Sequence, residues 1–197
     1  MSRTRTNTWF IASTLGFAAL LFVACGGSSS SPSSASRPQP TDATPSTAAA
    51  FRDVEPTAAD FVNINTMTRV DDHFVGSFNG HLDAALAVAR NPNGGDYPVG
   101  TVIQLIPTEA MVKRFAGYSP ETGDWEFFSL NVSPEGTTIK SSGAAVKNFV
   151  GSDCASCHSL AEERFDFVCG KNHGCAPLPL SDDLIARIQR ADPRPRG

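Results

Sequence analysis

Cys154-Ala155-Ser156-Cys157-His158 is the stretch whose residue types and spacing could do chemistry. Two thiols three residues apart, with an imidazole directly after the second, form the c-type haem attachment pattern. The thiols of Cys154 and Cys157 can add across the two vinyl groups on one edge of the macrocycle, giving covalently bound haem. His158 follows Cys157 immediately, so its ring reaches under the porphyrin and ligates the iron from the proximal side.

Two other chemistries fit part of the pattern. A Cys-x-x-Cys pair can be a thioredoxin-like redox couple, or half of a zinc site completed by Cys169, Cys175 and His173. The redox couple should follow a strand of a βαβ unit, and no alternating βαβ pattern is visible; it also leaves His158 without a role. A zinc ribbon repeats its short Cys-x-x-Cys spacing, whereas five residues separate Cys169 from Cys175. Haem attachment in bacteria happens outside the cytoplasm, so the start of the chain bears on the choice.

Residues 1–24 read as an export signal. Arg3 and Arg5 supply the positive start, and the apolar run from Trp9 to Ala24 is broken by Ser13, Thr14 and Gly16 and is short for a membrane span. Its end, Leu21-Phe22-Val23-Ala24-Cys25, resembles a bacterial lipoprotein signal, with Phe22 the less usual residue and Cys25 as the lipid-bearing first residue. The plainer alternative is an ordinary signal peptide or an uncleaved anchor. Lipidation of Cys25 accounts for the odd one of five cysteines and leaves two working pairs. In an oxidising compartment Cys169 and Cys175 are most simply a disulfide closing a tight loop. Residues 25–56, rich in Ser, Pro and Thr, cannot bury enough apolar surface to fold and read as a disordered tether from the periplasmic face of a membrane. Cleavage before Cys25 removes two arginines and no acid, moving the formal charge from −4 to −6, a balance that argues against nucleic acid as a partner.

Residues 57–197 remain as one domain, long enough for a single core around a cofactor. Thr57–Val70 places Phe61, Ile64 and Thr68 at helical spacing, and Asn79–Arg90 repeats Leu82, Ala85, Leu86 and Ala89 behind Asn79 as N-cap. Strands follow at Thr101–Ile106, Met111–Ala116, Trp125–Val132 and Thr137–Ser141, each bounded by turn residues, which suggests an antiparallel meander. Trp125 and Phe127 should share one face, with Phe128 and Leu130 on the other. The motif helix should start at Ser152 or Asp153. A last helix should start at Ser181, with Leu184, Ile185 and Ile188 on one side, and end at Asp192-Pro193. The fold class is α+β, mainly antiparallel sheet with flanking helices around one covalent haem.

No methionine follows His158, and only Met67 and Met111 precede it in the mature chain, which disfavours His–Met ligation. The remaining candidates opposite His158 are His73, His81, His173, Lys113, or no residue. His173 sits in the disulfide loop and should point to solvent, His81 starts a helix as a surface or capping residue, and His73 follows two acids in a solvated loop. An open, aromatic-lined distal face is therefore expected, leaving five-coordinate iron for a diatomic ligand such as nitric oxide. A redox enzyme on nitrogen oxides or peroxide would need a proton-handling group, with Gln104, Lys113, Arg114 and Glu126 as candidates. An electron carrier with a redox partner protein would need a second axial side chain.

Tyr97-Pro98-Val99-Gly100-Thr101, Met111-Val112-Lys113-Arg114, Gly123-Asp124-Trp125-Glu126-Phe127-Phe128 and the late Cys154–His158 motif together resemble the cytochrome P-460 family over roughly residues 57–195. The resemblance implies a mainly antiparallel β fold holding one c-type haem, with His158 as proximal ligand, and kinship with hydroxylamine-oxidising enzymes and gas-binding beta-type cytochromes c-prime. The enzymatic relatives carry a lysine cross-linked to the haem just after the Gly-Thr that opens a strand. Here that strand reads Gly100-Thr101-Val102-Ile103-Gln104-Leu105, without it, so hydroxylamine oxidation is not carried over. Lys113 on the next strand reads as a solvated edge residue.

Overall fold

The computed structural model describes residues 53–197, so the export signal, Cys25 and the tether up to residue 52 lie outside the described residues. Six strands pair in chain order into one antiparallel sheet: β1 (Thr68–Val70), β2 (His73–Ser77), β3 (Thr101–Gln104), β4 (Glu109–Lys113), β5 (Trp125–Ser133) and β6 (Gly136–Gly143). Among the described residues three short α-helices, α1 (Leu82–Ala89), α2 (Cys154–His158) and α3 (Asp182–Arg190), complete an α+β fold. No helix among the described residues is long and apolar enough to cross a membrane.

The four strands with strong turn punctuation lie where their residues predict, to within a few positions. The stretch Thr57–Val70 does not form the predicted helix. It makes two single 3-10 turns, Ala58–Asp60 and Ile64–Thr66, and then β1. Asn63 turns its side chain back to accept from the Asn65 N–H at 2.9 Å, a local bond that competes with helix continuation. Helix α1 is shorter than predicted and is capped at His81, because Asn79 is used elsewhere: its Nδ2 donates to the Val99 carbonyl at 2.7 Å.

Strand register decides which residues face the site. Val75, Ile103, Met111 and Phe127 stand in one row across β2 to β5. With Trp125, Tyr97, Leu86 and Val168 they build a core on one face of the sheet. Phe128 and Leu130 point to the other face, where Phe61 packs on Phe128 at 4.9 Å between ring centres. Both faces are apolar and both are covered, as the sequence of β5 predicts.

Residues 61–64 are tied to the C-terminal tail through a buried ion pair within that tail. Arg194 donates from Nε and Nη2 to the Asp192 carboxylate at 2.9 and 2.7 Å, and the two side chains are 2 % and 0 % exposed. The Ile64 N–H also donates to Asp192, at 2.8 Å, and Arg194 Nη1 reaches the Phe61 carbonyl at 2.9 Å. These bonds explain why residues 57–66 follow the C-terminal tail and not their weak helical pattern. Burial raises the Asp192 carboxyl, but the Arg194 guanidinium and the Ile64 and Arg194 N–H groups outweigh it and hold the pKa below the ordinary 3.8. The pair's stabilisation is therefore complete above about pH 3.8 and is lost as pH falls through the lower folded-state value. Asp192→Asn leaves Arg194 buried without a counter-charge and should lower the unfolding free energy by about 3–5 kcal/mol at neutral pH, measured by urea titration. The variant should also lose less stability than the parent between pH 5 and pH 2.

Candidate functional site

Helix α2 exists because its ends are satisfied. Asp153 is the N-cap, accepting from the Ser156 N–H at 2.8 Å, and the Cys154 N–H donates to the Val146 carbonyl at 3.0 Å. One turn then puts Cys154 and Cys157 on the same helix face. Both thiols are free; Cys154 is buried and Cys157 half-buried. Burial, then the nearby charges of Glu109, Asp153 and Cys157, push the Cys154 thiol up to about 12. A thiol held in that state is not the ready thiolate of a redox couple.

His158 is fixed through one ring nitrogen. Its Nδ1 lies 2.7 Å from the Phe167 carbonyl, which can only accept, so Nδ1 carries the proton and Nε2 keeps its lone pair. Burial lowers the His158 pKa, and the bond to Phe167 opposes this only in part, which favours the neutral ring. It rests against the Phe127 ring at 5.1 Å.

Aiming the Phe167 carbonyl requires an unusual backbone. Asp166 and Phe167 both have positive φ, 48° and 63°, and a bulky side chain in that region is strained by about 1–3 kcal/mol. The surroundings hold it there. The Asp166 carboxylate accepts from the Tyr97 N–H at 2.9 Å and from Lys113 Nζ at 2.6 and 2.7 Å, and the Asp166 carbonyl accepts from Trp125 Nε1 at 2.7 Å. Lys113 also donates to the Gly123 carbonyl at 2.7 Å and lies 5.3 Å from the centre of the Trp125 ring. It is therefore an inner-strand structural cation and not the solvated edge residue its sequence context predicts.

The Cys154–His158 turn borders a cavity of about 430 Å³, within the ~300–1,000 Å³ usual for cofactor and ligand sites. Ile103, Met111 and Phe127 form its floor, and the C-terminal stretch through Leu180 and Ile185 forms a wall. His73 and Glu109 also line it. His73 is the larger correction to the sequence reading: it lies in β2, is 4 % exposed and is not solvated in a loop. Glu109 was not singled out by the sequence. Its Oε1 accepts from the Phe149 N–H at 2.6 Å, and burial raises its pKa.

Cys169 and Cys175 also border this cavity, whereas His173, His81, Gln104, Arg114 and Glu126 do not line it. His173 does not project to solvent; it stacks flat on Phe165 at 3.7 Å, with Nδ1 2.7 Å from the Val168 carbonyl. His81 stands at the start of α1. Gln104 pairs with Phe74 on the opposite side of the pleat from Ile103, and Arg114 is held by Glu126, Asp53 and Glu55. The signal that could have found His73 is a two-residue turn, Asp71-Asp72, between Val70 and Phe74-Val75: a hairpin there puts His73 and Val75 on one face.

The donor set fits a thioether-linked haem: two free thiols one helical turn apart, one neutral imidazole with Nε2 available, and an apolar floor beside them. It does not fit the zinc alternative, since Cys169 and Cys175 are joined in a disulfide. Among the described residues no group of three or more His, Cys, Asp or Glu side chains could hold a bare metal ion; iron carried in a macrocycle needs only one or two protein ligands. No protein-family model, curated protein or solved structure matches the chain.

Gly123 tests the support behind His158. Its φ is 60°, and a Cβ there would lie 2.7 Å from the Phe167 ring. Gly123→Ala should cost about 1–3 kcal/mol by crowding Phe167, read as a lower thermal midpoint. It should also speed hydrogen exchange at the amides of residues 165–168.

Proposed function

We propose that residues 57–197 are a monohaem c-type cytochrome domain, similar to the cytochrome P-460 family. Cys154 and Cys157 carry the thioether links, and His158 is the proximal iron ligand. The observation that carries this reading is the state of His158: neutral, with its Nδ1 proton given to Phe167 and its Nε2 left for a metal, beside two free thiols on one cavity. Such a carbonyl bond behind a ligating histidine fixes the tautomer and raises ligand basicity. When bound, haem supplies a one-electron centre and a binding position for diatomic molecules such as nitric oxide.

The export signal, lipidated Cys25 and tether belong to the same reading: a lipoprotein whose haem domain stands off the periplasmic face of a bacterial membrane. In it Met111 and Phe127 give the cavity an apolar floor that keeps water from the bound cofactor. Hydroxylamine oxidation is not part of the proposal, because Lys113 is spent on Asp166 and Gly123 and no lysine stands beside Thr101. A second reading, electron transfer with both axial positions filled by protein, is favoured by the buried His73 on the same cavity.

Protein exported with a haem-attachment system should give one haem per chain by the alkaline pyridine assay, with the spectrum of a thioether-substituted macrocycle. Cys154→Ala with Cys157→Ala should lose all covalent haem. Colourless protein, or Cys154 bonded to Cys157 in the mature chain, would sink the proposal.

A further inference from the structure

His73 and His158 are prepared in the same way. Each has its Nδ1 beside an oxygen acceptor: Phe167 O at 2.7 Å for His158, Asp72 Oδ1 at 3.2 Å for His73. A carboxylate oxygen accepts, so Nδ1 of His73 donates in this contact and Nε2 is the ring nitrogen left over. That Nε2 is buried and has no hydrogen-bond partner. A buried, unpaired polar atom costs about 1–3 kcal/mol unless something fills the place, and the ring borders the cavity that also holds His158.

The position of His73 is built by the fold. Val75 belongs to the row of Ile103, Met111 and Phe127, and His73, two residues before it on β2, faces the same side. Gln189 of α3 fixes this corner by donating Nε2 to the carbonyls of Asp72 at 2.6 Å and Leu105 at 2.8 Å. The His73 backbone is thus pinned from the C-terminal helix, while its side chain is left with one free donor atom.

We infer that His73 is the second protein ligand of the cofactor iron, opposite His158, so that the resting site has two histidine nitrogens as its axial pair. This rests on the haem reading of Cys154–His158. It replaces the expected open distal face: a diatomic ligand then reaches the iron only where His73 gives way. Met111, on the same cavity, is the competing side chain.

The test uses the exported full-length holoprotein. The ferric parent should be six-coordinate and low-spin, and near-infrared magnetic circular dichroism should report two nitrogen axial ligands. His73→Ala should turn the ferric spectrum high-spin, and the reduced variant should bind carbon monoxide at least tenfold faster than the parent. Added imidazole should restore the low-spin spectrum in that variant. Met111→Leu should leave the axial signature unchanged. A high-spin parent, a nitrogen–sulfur signature, or a His73→Ala spectrum identical to the parent's each overturns the inference while leaving the haem itself in place. The parent's dichroism decides even if the alanine variant fails to fold. Loss of the pyridine haemochrome in the parent is the separate result that removes the underlying reading.

Discussion

The carboxylate of Asp166 is the point on which the rest of the site depends. It neutralises Lys113 inside the protein, receives the Tyr97 amide, and through its own carbonyl takes the Trp125 indole. Two buried charges are expensive to bring out of water, and they are tolerated here because each is also hydrogen-bonded to backbone. What the arrangement yields is direction. With Asp166 anchored to β4 and β5, the next peptide must turn through a left-handed conformation, and its carbonyl meets His158. The imidazole is oriented from the sheet, through a loop, and not by its own five-residue helix.

The sheet register does the complementary work on the far side. A pleated strand offers alternate residues to one face, and antiparallel pairing fixes which positions meet across strands. On β4 this puts Glu109, Met111 and Lys113 on one side at successive depths. Glu109 and Met111 reach the cavity, and Lys113 is drawn off to Asp166. On β2 the same alternation gives Val75 to the core and His73 to the cavity. One face of a plain meander thereby carries a core, a structural ion pair and one side of the cavity.

How legible this was in the sequence varied with the range of the interactions. The Cys154–His158 turn and its Asp153 cap could be read directly, since both depend on neighbours within a few residues. The strands from Thr101 onward were legible because Pro, Gly and Asp mark their ends, and Trp125, Phe127, Phe128 and Leu130 divide between faces as alternation requires. Before Thr101 the repeat of Leu82, Ala85, Leu86 and Ala89 disclosed α1, though a shorter one, and the rest was not legible. Residues 57–66 take their shape from Asp192 and Arg194, more than a hundred positions away, and no local pattern encodes that. His73 was misread for a related reason: two acids before a histidine look like solvated loop, yet they form a tight hairpin turn whose partner strand buries the ring. Lys113 was misread because its counter-ion, Asp166, is supplied by a distant loop.

The wall formed by Leu180 and Ile185 has a temporal meaning. These residues, and the Gln189 side chain that clips Asp72 to Leu105, lie C-terminal to both thiols and so leave the ribosome after them. Until that helix docks, the side of the chamber it closes stays open, and both thiols are already present upstream. Any guest attached at those thiols would thus meet this side of the chamber before the C-terminal helix covers it.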